Sequence, residues 1–309
     1  MTERHLIKET LISIVGADNL LIDEQIRHHM YTKLGGSADF FVMPESVEQI
    51  QAIVRFASEV DVPFTLLGNG SNLIVRDGGI RGIVMTLKNL KTIRHQGEMV
   101  IAESGARIID TSYYALDQSL SGLEFACGIP GTVGGALYMN AGAYGGEVKD
   151  CLDHAIVIDR SGELLTLKNE QFNFDYRTSN IPDNDYIVVE AHFKLSKGDQ
   201  TEIKAVMDDL TEKRESKQPL EYPSCGSVFK RPPGYFAGKL IQDSGLQGKG
   251  FGGAEVSTKH AGFIVNKDNA TATDYIAVIE MVQKTVKEKF GVELEREVRI
   301  IGEDKESEI

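Results

Sequence analysis

Apolar residues recur at helical spacing near the N-terminus. One apolar face is formed by Leu6, Ile7, Leu11, Ile12 and Val15. The pattern stops at Gly16-Ala-Asp and restarts at residue 19. It predicts two helices before about residue 30, which we interpret as a lead-in without chemistry.

The next segment reads as strand, helix, strand. A short apolar run at residues 38–42 ends at Pro44, and Ser46-Val-Glu-Gln49 is typical of a helix start. Apolar residues at helical spacing continue to Val60, and a second short apolar run follows at residues 64–67. This pattern predicts a small βαβ unit. Its last strand ends at a glycine-containing segment, where α/β sheets place ligands.

Strands dominate the middle of the chain, and helices return in the last third. Strands are predicted at residues 73–75, 82–87, 99–102, 155–158, 164–167, 187–195 and 292–301. Helices are predicted at residues 107–120, at about 199–215, and before Gly291. The residues predicted to point inward from the last two helices are Ile203, Val206, Met207, Leu210, Tyr275, Ile276, Ile279, Val282, Val286 and Phe290.

Composition and charge exclude several classes of protein. A chain of 309 residues allows two or three domains, and 41% hydrophobic with 26% charged residues is ordinary for a globular protein. The net charge of −13 argues against a nucleic-acid partner. Cys127, Cys151 and Cys225 lack the spacing of a disulfide framework or a zinc site. Because no apolar run could span a bilayer, we expect a soluble protein, and the cysteine usage favours a reducing cytoplasm. No metal-ligand set is indicated, so we expect no metal.

A glycine-rich stretch between Gly122 and Gly146 holds eight glycines in twenty-five residues. We expect neither a helix nor an ordinary strand there. Glycine permits positive φ and lets main-chain N–H groups approach a ligand closely. On this reading Gly128-Ile-Pro-Gly131-Thr-Val-Gly134-Gly135 is a ligand cradle. A glycine-rich loop without a ligand is the alternative.

A second cluster, Gly68-Asn69-Gly70-Ser71-Asn72, lies between two apolar strand-like runs. Two such segments suggest one extended, phosphate-bearing ligand, such as a dinucleotide. The common dinucleotide fold is disfavoured, because Leu73 stands where the third glycine of G-x-G-x-x-G belongs. A P-loop sequence, G-x-x-x-x-G-K-[ST], does not occur either.

Seven motifs, in order along the chain, resemble one enzyme family. They are Tyr31-Thr-Lys-Leu-Gly-Gly36, Leu67-Gly-Asn-Gly-Ser-Asn72, Gly128-Ile-Pro-Gly-Thr-Val-Gly134, Asn140-Ala-Gly-Ala-Tyr144, Tyr176-Arg-Thr-Ser179, Gly226-Ser-Val-Phe-Lys230 and Glu295-Arg-Glu-Val-Arg299. Together they resemble UDP-N-acetylenolpyruvoylglucosamine reductase (UDP-N-acetylmuramate dehydrogenase), the FAD enzyme that makes UDP-N-acetylmuramate for bacterial peptidoglycan. The segment between Arg177 and Ser227 leaves no obvious room for the insertion that the family's longer branch carries. In this respect the chain resembles the shorter branch.

The resemblance implies a fold and a domain plan. The fold would be α/β (α+β), with an FAD-binding pair of domains of the vanillyl-alcohol-oxidase/PCMH type and a C-terminal substrate-binding domain. The implied boundaries are residues 1–92 and 93–200 for the FAD-binding pair, 201–303 for the substrate domain, and 304–309 for a tail. No obligate protein partner is implied.

The resemblance also assigns residues to cofactors. Non-covalent FAD would be held by Tyr31, Gly68, Asn69, Gly70, Ser71, Asn72, Gly128, Ile129, Gly131, Thr132, Gly134, Gly135, Asn140 and Ala141. NADPH is the implied hydride donor, yet no second dinucleotide signature is found in the sequence. We therefore expect NADPH and the UDP-sugar to use one flavin face in turn, with ping-pong kinetics.

Three residues would carry the implied chemistry. Hydride delivery from flavin N5 to the methylene carbon of the enolpyruvyl ether leaves negative charge that a cation must stabilise, and the neighbouring carbon needs a proton. By resemblance, Arg177 stabilises the charge, Ser227 donates the proton, and Glu297 acts with the serine. From the residues alone, a surface arginine, a turn serine and a solvated glutamate remain open alternatives.

A locally basic region would bind the substrate. From Lys213 to Lys259 there are eight Lys or Arg against four acidic residues, a net charge of +4 in a chain that is acidic as a whole. Such a region attracts an anionic ligand, although a solvated basic face remains the alternative. By resemblance it binds the UDP-sugar diphosphate, with Lys217, Lys230 and His260 as candidate contacts.

Two other functions stay open. One is an FAD-linked oxidase of the same broad fold that acts on a sugar or an alcohol and passes electrons to oxygen. The other is a nucleotide-binding protein without turnover. Reduction by NADPH followed by reoxidation with the enolpyruvyl sugar would distinguish the three functions.

Overall fold

The computed structural model describes residues 3–305, which form seven α-helices and nineteen strands. The helices are α1 (Glu3–Val15), α2 (Val47–Glu59), α3 (Ile108–Asp117), α4 (Val133–Tyr138), α5 (Gln200–Lys217), α6 (Ala237–Asp243) and α7 (Ala272–Phe290). The strands are β1 (Leu20–Gln25), β2 (Ser37–Val42), β3 (Phe64–Leu67), β4 (Leu73–Val75), β5 (Ile80–Thr86), β6 (Ile93–Gln96), β7 (Met99–Glu103), β8 (Leu120–Ser121), β9 (Gly142–Ala143), β10 (Gly146–Glu147), β11 (Leu152–Ile158), β12 (Leu164–Lys168), β13 (Ile187–Lys194), β14 (Ser196–Lys197), β15 (Ser224–Ser227), β16 (Gly250–Phe251), β17 (Ala254–Val256), β18 (Phe263–Asn266) and β19 (Arg299–Ile301). The expected tail at residues 304–309 falls outside the described residues after residue 305.

The chain divides into two units. Unit 1 comprises the residues up to Asp23, Asp39–Asn69 and Gly82–Lys213, and unit 2 comprises Glu24–Ala38, Gly70–Arg81 and the residues from Arg214 onward. Both expected FAD-binding domains thus fall mainly in unit 1. The domain boundaries at residues 92, 200 and 303 stay predictions. No helix within residues 3–305 is both long and apolar enough to cross a membrane.

Unit 1 is built on two sheets. The first has the strand order β1-β2-β5-β3, with β3 and β5 parallel, and the second has the order β12-β11-β13-β7-β6, with antiparallel neighbours. Leu11 of α1 and Ile53 of α2 are fully buried with Ile83 of β5. Val133 and Leu137 of α4 are buried in a second core with residues of the antiparallel sheet. The α/β composition that the sequence predicts is confirmed.

Helix α2 begins where the sequence predicts. The Ser46 hydroxyl accepts a hydrogen bond from the Gln49 N–H group at 3.3 Å. The Gln49 side chain accepts one from the Glu45 N–H group at 2.7 Å, one residue earlier than in a standard capping box. The strands expected at residues 64–67 and 73–75 are also confirmed, as β3 and β4.

The second N-terminal helix was predicted wrongly. Residues 20–25 form strand β1, followed by a 3₁₀ turn at Ile26–His29. Their apolar residues fit both helical and extended spacing. Pairing with β2 at the edge of the first sheet decides the outcome, because it satisfies the backbone groups that an isolated short helix would leave exposed.

The glycine-rich stretch contains a short helix, although neither a helix nor an ordinary strand was expected there. Helix α4 starts after Thr132, whose Oγ1 accepts a hydrogen bond from the Gly135 N–H group at 3.2 Å. This side-chain cap satisfies one of the unpaired donors of the first turn. Gly134 lies so close to Ser104 that a side chain at residue 134 would overlap its hydroxyl. Gly134 therefore serves helix packing.

Unit 2 is an antiparallel sheet covered by a long helix. Its strand order is β15-β18-β17-β16, and β4 and β19 form a separate parallel pair. Helix α7 buries Tyr275 and Val282 completely in the core of the unit. Its first N–H groups, those of Ala272 and Thr273, donate to the Asp77 carboxylate at 2.9 and 2.8 Å. The helix ends at Gly291, as the sequence predicts.

Two side chains predicted to point inward are exposed. Val206 of α5 is 49% exposed and Phe290 at the end of α7 is 41% exposed. Helix α5 buries only a narrow stripe, Ile203 and Met207, which are four residues apart and pack with Leu116. The apolar face predicted for α5 was therefore too wide, and that of α7 too long.

The final strand is shorter than predicted. A strand was expected at residues 292–301, but β19 covers only Arg299–Ile301. Leu294 and Val298 are buried, so the alternation of apolar residues does mark an inward face. Residues 295–298 instead make irregular backbone hydrogen bonds to residues 228–230.

Candidate functional site

Unit 1 brings the two glycine segments together. The Asn69 amide donates a hydrogen bond to the Pro130 carbonyl oxygen. A Cβ at Gly68 would lie only 2.9 Å from Thr132 Oγ1. The two segments, far apart in sequence, therefore adjoin at a point where residue 68 has little room for a side chain. This is the arrangement expected if both contact one extended ligand.

The loop from Gly128 to Thr132 is held by the backbone of neighbouring segments. The Gly131 carbonyl accepts a hydrogen bond from the Ile108 N–H group (3.1 Å), and the Val133 N–H group donates to the Ala106 carbonyl (2.8 Å). Ile129 is only partly buried. The loop is therefore fixed by hydrogen bonds that are independent of any ligand.

Asn140 is engaged inside the protein. It is fully buried, and its backbone is left-handed with φ of 44°. Its amide nitrogen donates to Glu147 Oε2 at 2.7 Å and to the Asp175 carbonyl at 3.1 Å. Its amide oxygen accepts from the Lys149 N–H group at 3.0 Å. With the neighbouring Ala141 also buried, this arrangement does not support a side-chain contact of Asn140 with FAD.

Arg177 lies in a tight turn of unit 1 that adjoins the glycine-rich stretch. Asp175 and Thr178 exchange backbone hydrogen bonds of 3.2 and 3.1 Å across the turn. Arg177 has a positive φ of 54°, a strained value for this residue type that the surrounding contacts must hold. Its Nη2 donates to the Gly142 carbonyl at 2.8 Å. The guanidinium is thus placed beside the segment expected to bind FAD.

Ser227 is the last residue of β15 in unit 2. Gly226, which precedes it, has a φ of 73°, a value that favours glycine. The register against β18 shifts between Ser224 and Ser227, so the strand bulges at this point. Bulges re-aim side chains next to functional sites. Here the bulge leaves the Ser227 side chain exposed at the strand end.

Glu297 lies beside the Ser227 segment in the same unit. Its N–H group donates to the Val228 carbonyl at 2.8 Å, and its carbonyl accepts from the Asn72 amide at 3.3 Å. The Arg299 N–H group donates to the Asn72 carbonyl at 3.2 Å. The backbone of unit 2 thus brings Asn72, Glu297 and the residue after Ser227 together, although the sequence separates them widely.

The remaining residues of unit 2 that are expected to hold FAD are Gly70 and Ser71, which precede Asn72, and Tyr31. Gly70 has a φ of 63°, and a Cβ there would lie 3.2 Å from the Met30 Cα atom. Tyr31 follows Met30 in the chain and is 36% exposed. Ser71 is partly buried. Gly70 therefore permits a close approach of two backbone segments, and its contact with FAD stays a prediction.

The three candidate substrate contacts differ in their surroundings. Lys230 pairs with Glu295, with 2.6 Å between Nζ and Oε1, and both side chains are substantially exposed. Lys217 is exposed in the last turn of α5. His260 is partly buried, and its ring packs edge-on against Phe263 at 4.9 Å between centroids. Its Nδ1 accepts a hydrogen bond from the Gly262 N–H group at 3.1 Å.

Burial lowers the pKa of His260. A hydrogen bond with its own backbone raises the pKa, but by less than burial lowers it. A histidine whose pKa is lower in the folded state takes up a proton more readily when unfolded, so the folded state loses stability as the pH falls below about 6.5. We expect His260→Gln to reduce this acid sensitivity. Urea unfolding at about pH 7.5 and about pH 5.5 measures it. An equal loss in the variant and the parent would contradict the prediction, and His28→Gln, at an exposed histidine of unit 2, is the control.

Cys225 lies two residues before Ser227 but is not suited to nucleophilic chemistry. It is fully buried, and burial raises its pKa to about 12. Its Sγ lies 3.1 Å from the Tyr275 hydroxyl. A thiol with so high a pKa stays protonated near neutral pH. Cys225 is therefore a packing residue.

Curated relatives match over nearly the whole chain. UDP-N-acetylenolpyruvoylglucosamine reductase from Oceanobacillus iheyensis is 66% identical over 304 residues, which is 98% of this chain and 99% of the relative. The protein of that name from Staphylococcus aureus (strain COL) is 60% identical over 297 residues, or 96% of this chain and 97% of the relative. The chain belongs to the UDP-N-acetylenolpyruvoylglucosamine reductase family.

Domain models and a solved structure agree with this family. Residues 218–301 match the C-terminal domain of UDP-N-acetylenolpyruvoylglucosamine reductase, and residues 38–168 match an FAD binding domain. The crystal structure of the reductase from Thermus caldophilus is 32% identical, covers 91% of this chain and 97% of its own, and has a TM-score of 0.78. The resemblance, the fold class and the FAD cofactor predicted from the motifs are confirmed.

A more distant structure shares part of the fold only. Alkyldihydroxyacetonephosphate synthase is 17% identical, covers 63% of this chain and 41% of its own, and has a TM-score of 0.50. The roles predicted for individual site residues stay predictions.

Ser179 was not predicted as a site residue, although it ends the Tyr176-Arg-Thr-Ser179 motif. Its hydroxyl donates to the Tyr138 carbonyl at the end of α4 at 2.6 Å.

Proposed function

We propose that the chain reduces UDP-N-acetylenolpyruvoylglucosamine to UDP-N-acetylmuramate, a peptidoglycan precursor, with FAD as cofactor and NADPH as hydride donor. The observation that carries this function is the 60–66% identity over nearly the full chain to relatives with the reductase name. The FAD binding domain match supplies the cofactor. We place the reaction in the cytoplasm.

The described residues fit FAD. Gly68 and Asn69 adjoin the Gly128–Thr132 loop, and residue 68 has little room for a side chain. The cradle from Gly128 to Gly135 contains no lysine or arginine, so neutral backbone N–H groups would hold the cofactor phosphates. Ser71 and Asn72 would add side-chain donors. Bound there, FAD would supply hydride transfer from NADPH to the methylene carbon of the enolpyruvyl group.

Arg177 binds the substrate carboxylate. Its planar guanidinium can donate two parallel hydrogen bonds to a carboxylate, which fixes the orientation of the enolpyruvyl group. Negative charge spreads from the carbon next to the ether oxygen onto this carboxylate during reduction. A fixed cation stabilises that charge more in the transition state than in the ground state. The strained turn at residue 177 supports such a role, because strain of this kind clusters at functional sites.

Ser227 donates the proton that completes the reduction. The methylene carbon gains a hydride, the carbon bearing the ether oxygen gains a proton, and the double bond becomes single. A hydroxyl is a weak acid, so it must be coupled to the developing negative charge of the substrate. Glu297 acts with the serine, and the backbone contact between residues 297 and 228 supports this pairing.

The basic region of unit 2 binds the UDP diphosphate. Lys217 and Lys230 supply positive charge, and Lys230 would exchange its exposed partner Glu295 for a phosphate oxygen. His260 contributes a neutral donor, because its Nδ1 already accepts a hydrogen bond and the ring proton then lies on Nε2. NADPH and the UDP-sugar take turns at one flavin face. Productive simultaneous binding of both would contradict this last point.

Stopped-flow spectroscopy of the two half-reactions tests the function. We expect the yellow, FAD-loaded protein to bleach on anaerobic addition of NADPH and to regain its colour with UDP-N-acetylenolpyruvoylglucosamine. Rapid oxygen consumption with a sugar and no NADPH would indicate an oxidase instead. A colourless protein that binds no flavin would overturn the proposal in favour of nucleotide binding without turnover.

A further inference from the structure

Asn140 connects the glycine-rich stretch to the turn that carries Arg177. One of its amide hydrogen bonds reaches the Asp175 carbonyl, at the start of that turn. The other two, to Glu147 Oε2 and from the Lys149 N–H group, close the loop that contains the β9–β10 hairpin. Since the residue is fully buried, water cannot replace these contacts without local opening.

The same hairpin receives the Arg177 side chain. Arg177 Nη2 donates to the carbonyl of Gly142, the first residue of β9. Asn140 therefore fixes the backbone on which the arginine turns and also the loop against which its guanidinium rests. Ser179 adds a second tie, through its hydroxyl and the Tyr138 carbonyl. Both ties originate at the C-terminal end of α4 or directly after it.

These contacts account for the unusual conformation of Arg177. A non-glycine residue with positive φ persists only when its surroundings determine its backbone more strongly than its own preference does. The reciprocal hydrogen bonds between Asp175 and Thr178 close the turn, but they do not attach it to the rest of unit 1. Asn140 and Ser179 supply that attachment on the two sides of Arg177.

We propose that Asn140 is a positioning residue for Arg177, with Ser179 as its second anchor, and that its side chain acts on reduction of the substrate through the arginine alone. This inference rests on the proposed role of Arg177. It assigns the Asn140 side chain to the substrate step and not to FAD binding. Misplacement of a substrate-binding group by about 1 Å can cost about 100-fold in rate.

The test replaces Asn140 in the FAD-loaded protein. Asn140→Gly removes the amide and keeps a residue that accepts the left-handed backbone. We expect the half-reaction with UDP-N-acetylenolpyruvoylglucosamine to slow about 10- to 100-fold, while FAD content and the half-reaction with NADPH stay unchanged. Equal slowing of both half-reactions, or loss of FAD, would overturn the proposal.

Asn169→Ala is the matched control. The Asn169 amide also donates two hydrogen bonds, to the Lys149 and Leu152 carbonyls at 2.7 Å each, but it contacts neither Asp175 nor Arg177. We expect no selective loss in this variant. If it reproduced the effect of Asn140→Gly, the effect would come from the residue 140–150 loop in general, and the proposal would be wrong.

A double-mutant cycle separates this inference from the role of Arg177 itself. In an Arg177→Ala background, Asn140→Gly should cause no further slowing of the substrate half-reaction. If the rate losses of the two single substitutions multiplied in the double variant, the positioning role of Asn140 would be overturned and the proposed role of Arg177 would stand. If Arg177→Ala alone left the substrate half-reaction unchanged, the proposed role of the arginine would fail instead.

Hydrogen exchange supplies a readout that does not depend on turnover. The amides of Asp175 and Thr178 should exchange at least about tenfold faster in Asn140→Gly than in the parent or in Asn169→Ala. If Asn140→Gly does not fold, Ser179→Ala tests the same turn through its second anchor, and Ser179→Thr, which keeps the hydroxyl, should restore the rate. Unchanged exchange in a folded variant would contradict the proposal.

Discussion

Ser227→Ala should slow reoxidation of the reduced protein by UDP-N-acetylenolpyruvoylglucosamine by at least about 100-fold, the lower range for loss of a positioned proton donor. Reduction by NADPH needs no proton from this hydroxyl and should be nearly unchanged. The bulge at the end of β15 leaves the side chain exposed at the strand end, so its removal should not disturb the core. Stopped-flow absorbance of the flavin measures both half-reactions in one preparation.

Ser224→Ala is the control for this experiment, because Ser224 lies in the same strand before the bulge. It should leave the ratio of the two half-reaction rates unchanged. The solvent isotope effect tests proton donation directly. We expect the substrate half-reaction of the parent to be slower in D2O than in H2O, and we expect this ratio of rates to change in Ser227→Ala. Equal slowing of both half-reactions by Ser227→Ala would remove the serine from the proposed role.

Arg177→Ala should have a comparable or larger effect on the same half-reaction. Loss of a donor aimed at developing negative charge costs about 100- to 1,000-fold in rate. Arg177→Lys keeps the charge but loses the planar pair of donors, so we expect an intermediate rate and an increased KM for the enolpyruvyl sugar. Steady-state kinetics and single-turnover reoxidation measure these effects.

Arg160→Ala is the matched control for the arginine. Arg160 pairs with Asp185 at 2.6 Å on the exposed surface of unit 1, where an ion pair contributes little. We expect this variant to keep the parent rates. If Arg177→Ala also kept them, the carboxylate of the substrate would have to be bound by another residue.

Most of the local structure could be predicted from the sequence, because the apolar pattern determines which face of an element is buried. Helix α2 follows its Ser46 cap, and strand β13 follows the apolar residues at every second position from Ile187 to Phe193. The apolar pattern could not distinguish a helix from a strand where the spacing of apolar residues fits both. Residues 20–25 became a strand because a neighbouring strand was available, and spacing alone does not contain that information.

The sequence indicates candidate residues for the site, but it does not contain their spatial arrangement. The glycine segments could be found because glycine serves close backbone approach, and their contact through Asn69 and Pro130 agrees with one shared ligand. The pairing of Glu297 with the Ser227 segment depends on backbone hydrogen bonds between parts of the chain distant in sequence. The structural role of Asn140 depends likewise on Glu147 and Asp175, which no local motif connects to it.

The burial of Cys127, Cys151 and Cys225 has a practical consequence for the study of this enzyme. Thiol-reactive dyes and spin labels need an exposed thiolate, and burial raises the pKa of both Cys151 and Cys225 to about 12. A cysteine introduced at an exposed position such as Tyr235 would therefore react far faster than the native thiols. The natural sequence can thus be labelled at a chosen place without first removing its own cysteines.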